Sequence, residues 1–501
     1  MSRAVRAFLI LLAAAFFCYG GIRIASLGFY LDDWILLSYM RFAPTGFFSA
    51  MAGLLSSNKA FWFRPLGPPL YAALYALFGL QTLGWQAALL LTNVTMAFAA
   101  GRIMLRYGIS ERIAVLGALL FLVWPDKDAT MFWPLAINNS LSLLAMLTAY
   151  LSHLEYVESG RRRFLGISVA LTLISMGLYD QCAFFFLFWP VTPVILKDGV
   201  SPRAKRGALA AAAATGIFLL YKFVFVPVVL DIHFNKTFVF SASHFVWTYA
   251  AGLESAVGFR IVAFSFRSLL MAFEVSPFVA VAAALFPWII LKLPDAEPQT
   301  RRDAAWALVG LGALIFLFGY LPIAVSDYSP TPINHGNRVN EVPVLGLILA
   351  MIGIATRTME ARLLERRACA LASILLAVHV GLAGFWVESY RRQNQVRQQI
   401  LANLDRWPSG KTLLLLLPER YVAGKVPVFD AHYDITGAIQ IWTGDRTRHA
   451  ETITPRMVVA PDGVFTAFGK LPYKSCLLLD SARGIFRDVS YRIIAFRAPK
   501  T

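Results

Sequence analysis

The stretch YLDDWILL places two carboxylates, Asp32 and Asp33, side by side after the first apolar run. Adjacent carboxylates can raise one another's pKa, which suits a general base, or they can hold a divalent cation. Neighbouring helical side chains point about 100° apart, so the two acids serve different purposes. One purpose is structural. Either acid can cap a helix running from Trp34 toward Arg41, which accounts for one carboxylate and leaves the other for chemistry.

The same loop carries Arg64 between an aromatic cluster and prolines, in FWFRPLGPPLYAALYALFG. A guanidinium is a rigid fork of donors that matches a phosphate, and it also serves as an interfacial anchor. VWPDKDATMFWPLAINN brings Asp126, Lys127 and Asp128 between two apolar runs, with Asn138 and Asn139 just beyond. These acids read either as ligand contacts or as solvated charges beside an aromatic belt. The two amides could hydrogen-bond a hydroxyl-rich ligand. Asp180 sits in a tight turn, where it caps or binds. His335 and Arg338 share HGNRVN, and a cation there suits an anionic partner. Together these residues form a candidate substrate-binding set around the catalytic pair Asp32 and Asp33.

What must position them is a membrane bundle. The chain has 501 residues, 58% hydrophobic and only 15% charged, where soluble domains run near 25% charged. Eleven windows are predicted to span: 7–25, 83–101, 112–124, 134–151, 164–179, 182–196, 207–229, 274–291, 304–325, 342–356 and 368–386. Residues 65–79 are read as an interfacial helix. That choice gathers the basic residues on one side. Arg3, Arg6, Arg102, Arg106, Arg112, Arg161 to Arg163, Lys197, Arg203, Lys205, Arg206, Lys292, Arg301, Arg302, Arg357, Arg362, Arg366 and Arg367 become cytoplasmic. The net charge of +17 is thereby explained without nucleic acid. Every loop named above then faces the opposite compartment, as do residues 230–272. Cys18, Cys182, Cys369 and Cys476 form no spaced cluster, so neither a disulfide framework nor a zinc site is expected.

From about residue 387 the character changes. VESYRRQNQVRQQILANLDRW reads as an amphipathic helix. GKTLLLLLP, PVFDAHYD, RMVVAP and SCLLLD read as short strands between turns. The expected organisation is a catalytic membrane domain over 1–386, with 26–82 as its first outer loop, and a small α/β domain over 387–501. The latter holds 17 basic and 10 acidic residues, a net of +7. That excess solubilises the domain or faces anionic lipid.

YLDDWILL, FRPLGPPLYAALYALFG, the run ending GRIMLRYG, and FLVWPDKDATMFWPLAINNSLSLLAML together resemble the GT-C superfamily of integral-membrane glycosyltransferases. Its members include lipid A aminoarabinose transferases and protein O-mannosyltransferases. The resemblance covers about the first 180 residues; beyond them it rests on span count and topology. It implies a sugar donor carried on a polyprenyl phosphate and an acceptor hydroxyl on a glycan, glycolipid, lipopolysaccharide or protein. It implies transfer with inversion on the periplasmic face of a bacterial inner membrane, with the N-terminus cytoplasmic. By motif position Asp32 and Asp33 match the family's acidic pair. Arg64 and Arg338 are phosphate candidates chosen for their chemistry alone. Where relatives often carry a further acid this chain has AINNS, and neutral amides hold Mg or Mn less well, so the cofactor stays open. Two other readings compete. An O-antigen ligase or polymerase would centre on a later outer loop such as 230–272, which holds Lys236, Arg260 and Arg267. A transporter would concentrate ionisable residues in mid-membrane, where this chain offers at most Lys222 and Glu274, both near span ends.

Overall fold

A computed structural model describes residues 2–189, 201–233, 238–293, 302–333, 335–423, 425–455, 457–466 and 469–489. The second half of the expected span 182–196, together with Lys197, Lys236 and Arg301, lies outside them. The described chain divides into two units. The first comprises 1–24, 58–70 and 84–384, and the second 25–57, 71–83 and 385–501.

The helices, in chain order, are α1 (Arg3–Cys18), α2 (Asp32–Arg41), α3 (Phe47–Ser57), α4 (Gly67–Phe78), α5 (Thr82–Arg106), α6 (Glu111–Leu122), α7 (Asp128–Phe132), α8 (Ile137–Ser159), α9 (Arg162–Leu178), α10 (Ala183–Phe188), α11 (Pro202–Leu220) and α12 (Val226–Val229). They continue as α13 (Ala242–Val257), α14 (Phe259–Val275), α15 (Pro277–Leu285), α16 (Arg302–Ala324), α17 (Glu341–Thr358), α18 (Ala361–Ala402) and α19 (His432–Thr443). Their ends follow local chemistry. Ser2 and Ser110 accept amide hydrogens at the starts of α1 and α6, and Gly160, at φ 70°, ends α8 in the left-handed region.

Among the described residues seven helical stretches are long and apolar enough to cross a membrane: Thr82–Arg106, Pro134–Ser159, Pro202–Val229, Ala242–Val275, Ala305–Ala324, His335–Thr358 and Ala361–Ala402. Six coincide with expected spans. The seventh, Ala242–Val275, replaces what the sequence suggested was an outer loop. The pair Arg260–Glu254, 2.9 Å apart, had disguised it by interrupting an apolar pattern that exposes Val246, Trp247, Phe259, Val262 and Phe266 on the bundle's outer side. Such a face suits lipid rather than water. The windows at 7–25, 112–124 and 164–179 form helices of 16, 12 and 17 residues, so the count of eleven is not reproduced by length. The 12 residues of α4 reach about 18 Å, short of a hydrocarbon core of about 30 Å. By these features the chain is a multi-pass membrane protein.

Within the first unit, α16 and α17 cross backbone to backbone. A Cβ on Gly346 would meet the backbone of Gly312 and Phe316, and one on Gly353 would fall 2.7 Å from the Ala305 carbonyl. Small residues here substitute for the hydrophobic effect, which lipid tails do not supply.

In the second unit, strands β1 (Thr412–Leu416), β2 (Tyr421–Val422), β3 (Val426–Pro427), β4 (Ala450–Thr452), β5 (Val458–Ala460), β6 (Gly463–Thr466), β7 (Gly469–Pro472), β8 (Cys476–Asp480) and β9 (Ile485–Asp488) alternate with α19. The main sheet has the order β4-β1-β8-β9, parallel except for β9. Leu414, Val464, Cys476 and Leu478 share its core. PVFDAHYD, expected as a strand, leaves β3 after Pro427 and opens α19. Asp434 is buried and accepts the amides of Asp430 (2.7 Å) and Ile435 (2.6 Å), satisfying donors that a strand would have paired. The amphipathic segment after residue 387 is the continuation of α18.

Candidate functional site

Asp32 and Asp33 open α2, in the second unit. The preceding Leu31 is buried with φ 51° and ψ −126°, a backbone region that side chains other than glycine's rarely enter. This turn points the two acids apart. Asp33 is 2% exposed, and its Oδ2 accepts the Tyr30 amide at 2.8 Å. Asp33 therefore binds the backbone at the helix start, the structural role open to one of the pair. Asp32 is only half-buried and takes a hydrogen bond from the Tyr433 hydroxyl on α19.

Two candidates far apart in sequence, Arg64 and Asp180, come together in the first unit. Arg64 Nε lies 3.6 Å from Asp180 Oδ1, and its guanidinium stacks over Tyr179, 4.1 Å from the ring centre. The Leu66 amide bonds the Gly177 carbonyl at 3.0 Å, which holds the arginine loop on the end of α9. A third charge joins them. Lys222, buried in the π turn Tyr221–Phe225, pairs with Asp180. Two cations and one carboxylate leave the group with a net positive charge suited to an anion. Lys222 stood out in the sequence as a lysine near a span end, but not as a partner of Arg64. Single π turns recur at functional positions, and they leave no sequence signature.

Asp126 and Asp128 are fully buried, as is Lys127 between them. Asp128 accepts from Asn337 Nδ2, and Asn337 Oδ1 accepts the Ala129 amide at 3.2 Å. Neither carboxylate oxygen of Asp126 nor the Lys127 ammonium has a hydrogen-bond partner among the described residues. Burial pushes the Asp126 carboxyl well above its usual range and pulls Lys127 down. Glu341, at the start of α17, adds a buried acid near Lys127 and accepts from Ser140 at 2.9 Å. Its only sequence signal was a lone acid in NEVP. Asn138 and Asn139 are buried in the first turn of α8, and Asn139 Nδ2 has no partner among the described residues.

Arg338 donates to the His335 carbonyl (2.8 Å) and the Tyr328 hydroxyl (2.9 Å), and its guanidinium stands 5.3 Å from the Trp133 ring centre. His335 thus contributes its backbone to hold this arginine. Among the described residues no three His, Cys, Asp or Glu side chains are grouped as a metal site.

No protein-family model matches this chain, and no curated protein does. Among the solved structures similar to it are two of one protein. One is ArnT from Cupriavidus metallidurans bound to undecaprenyl phosphate, with 14% identity, coverage of 88% of this chain and 89% of that one, and a TM-score of 0.46. The other is the same protein in the apo state, with 15% identity, coverage of 91% and 87%, and a TM-score of 0.42. A likeness this distant assigns no chemistry to the chain.

Proposed function

We propose that the chain is a membrane glycosyltransferase of the GT-C type. It moves a sugar from a polyprenyl-phosphate donor to an acceptor hydroxyl on a glycan, glycolipid or protein, on the periplasmic face of a bacterial inner membrane. The observation that carries this reading is the division of labour in the acidic pair. Asp33 is bound to the Tyr30 amide, while Asp32, displaced around the first turn of α2, stays half-buried. A half-buried carboxylate suits a general base, which must reach the proton that it removes.

The reaction follows from that role. Asp32 takes the proton of the acceptor hydroxyl. The acceptor oxygen bonds to the anomeric carbon from the face opposite the phosphate. The bond from that carbon to the phosphate oxygen breaks, its electron pair stays on the phosphate, and the configuration inverts. The leaving group is an anion, and stabilising it is an electrostatic task. Arg64, which shares Asp180 with Lys222, and Arg338 are candidates for that task by their chemistry alone.

The test is transfer of label from a panel of polyprenyl-phosphate hexoses, pentoses and aminopentoses in isolated membranes, with wild type, Asp32→Asn and Asp33→Asn at matched expression. The reading expects wild type and Asp33→Asn to transfer and Asp32→Asn to fail. Equal transfer by all three removes Asp32 as the base.

A further inference from the structure

We propose that Tyr433, carried by the C-terminal segment, is the positioning residue for the Asp32 carboxylate. The α/β domain on this view completes the transfer site. The inference rests on the role of Asp32 proposed above.

Within the second unit α19 approaches α2 backbone to backbone. A Cβ on Gly437 would collide with the main chain of Trp34 and Ile35. Two side-chain contacts fix the register, and Gln393 of α18 braces Trp34. Ser38 Oγ donates to Gln440 Oε1 at 2.6 Å, and Trp34 Nε1 donates to Gln393 Oε1 at 3.1 Å. The Trp34 and Trp442 rings meet edge to face, 5.5 Å apart. α19 runs alongside α2 in the same direction, with Gly437 beside Trp34 and Ile35 and Gln440 beside Ser38. This brings Tyr433, one turn before Gly437, to the start of α2, where its hydroxyl donates to Asp32.

Three carboxylates act on Tyr433, and two are committed elsewhere. Asp434 accepts backbone amides at the start of α19. Asp430 accepts from the Tyr421 hydroxyl and lies 3.6 Å from Arg420. Asp32 is the acid that the phenol bonds. Burial, together with the charges of Asp32, Asp434 and Asp430, keeps the phenol protonated and able to donate. Tyr433 is also 37% exposed, unlike Tyr30, which is fully buried and donates to the Trp386 carbonyl. A packing tyrosine has no need of that opening, whereas one beside a reacting carboxylate does. A hydroxyl bound to one carboxylate oxygen fixes the rotamer and leaves the second oxygen to take the acceptor's proton.

The experiment uses the full chain in membranes and the donor panel above. Tyr433→Phe keeps the ring and removes the hydroxyl. The expected result is a kcat lower by about 10- to 100-fold, the size of a hydrogen bond to a charged group, with KM within about twofold. In the Asp32→Asn background the same change should cost nothing further, because the bond it removes serves the carboxylate alone. Folding of each variant is read from protection of Cys476, a buried core thiol, against maleimide. Unchanged kcat in a protected Tyr433→Phe overturns the proposal while leaving Asp32 in place. An additive loss in the double variant overturns it as well. Transfer by wild type that survives Asp32→Asn overturns both readings, and so does the absence of any transfer by wild type.

Discussion

Asp32–Asp33 and Asp126–Lys127–Asp128 look alike in sequence, as charged residues side by side between apolar runs. Their surroundings are opposite. In the first group one acid serves the backbone and the other stays half-buried beside a tyrosine. In the second all three side chains are buried, and desolvation pushes the Asp126 carboxyl up and pulls Lys127 down. On the reading proposed above, two adjacent acids mark a reactive position where the fold leaves one of them reachable, and full burial gives the same letters a structural setting.

The sharpest way to break this contrast is to neutralise one acid on each side. Asp32→Asn should lower label transfer by about a thousandfold, within the range of lost general-base catalysis. Asp126→Asn should leave transfer within a few-fold. A similar loss in both would make the buried group part of the chemistry.

Lys127→Met comes next. A buried lysine head group with no hydrogen-bond partner among the described residues is costly, and an apolar side chain of similar volume removes that cost. Thermal unfolding in detergent should therefore show an unchanged or higher midpoint. A loss of about 3–5 kcal/mol would instead mark a paired, working charge.

A smaller effect is expected at Asp33. Asp33→Asn keeps an oxygen for the Tyr30 amide and should keep both stability and transfer. Asp33→Ala should lose about 1 kcal/mol, the usual cost of a missing cap, in the same unfolding measurement.

The smallest effect is a pH dependence of the second unit. Burial pushes the Cys476 thiol up from 9.0 to about 11. The folded state thus holds this proton more tightly than the unfolded one does. The stability from this group is complete below pH 9.0 and is lost as pH rises toward 11. Unfolding of wild type and Cys476→Ala followed between pH 8 and 11.5 should show a steeper decline in wild type.

What could be read from the sequence was chiefly local. A helix starting at the acidic pair, with one acid spent on it, follows from propensity and capping. The long apolar helices follow from hydropathy, as do β1 and β8 from their leucine runs. The meeting of Arg64 with Asp180 depended on how α9 and the loop before α4 pack, which no nearby residue announces. Lys222 was visible as an oddity but not as a partner. Tyr433 carried no signal, because HYDI reads as a strand end until Asp434 turns it into a helix start. Ala242–Val275 is a helical stretch where the span count leaves an outer loop with Arg260 and Arg267; Arg260 pairs with Glu254, a partner the sequence does not announce.

Leu31 has one more consequence. Its left-handed backbone sets the direction in which α2 begins, and its buried side chain offsets the strain. A glycine there would relax the turn while removing the anchor, exchanging a conformational penalty for chain disorder. Asp32 would still visit its working orientation, but as one of many. The barrier to transfer in such a variant would grow through a more negative activation entropy, visible as a changed intercept rather than a changed slope when rates are plotted against inverse temperature.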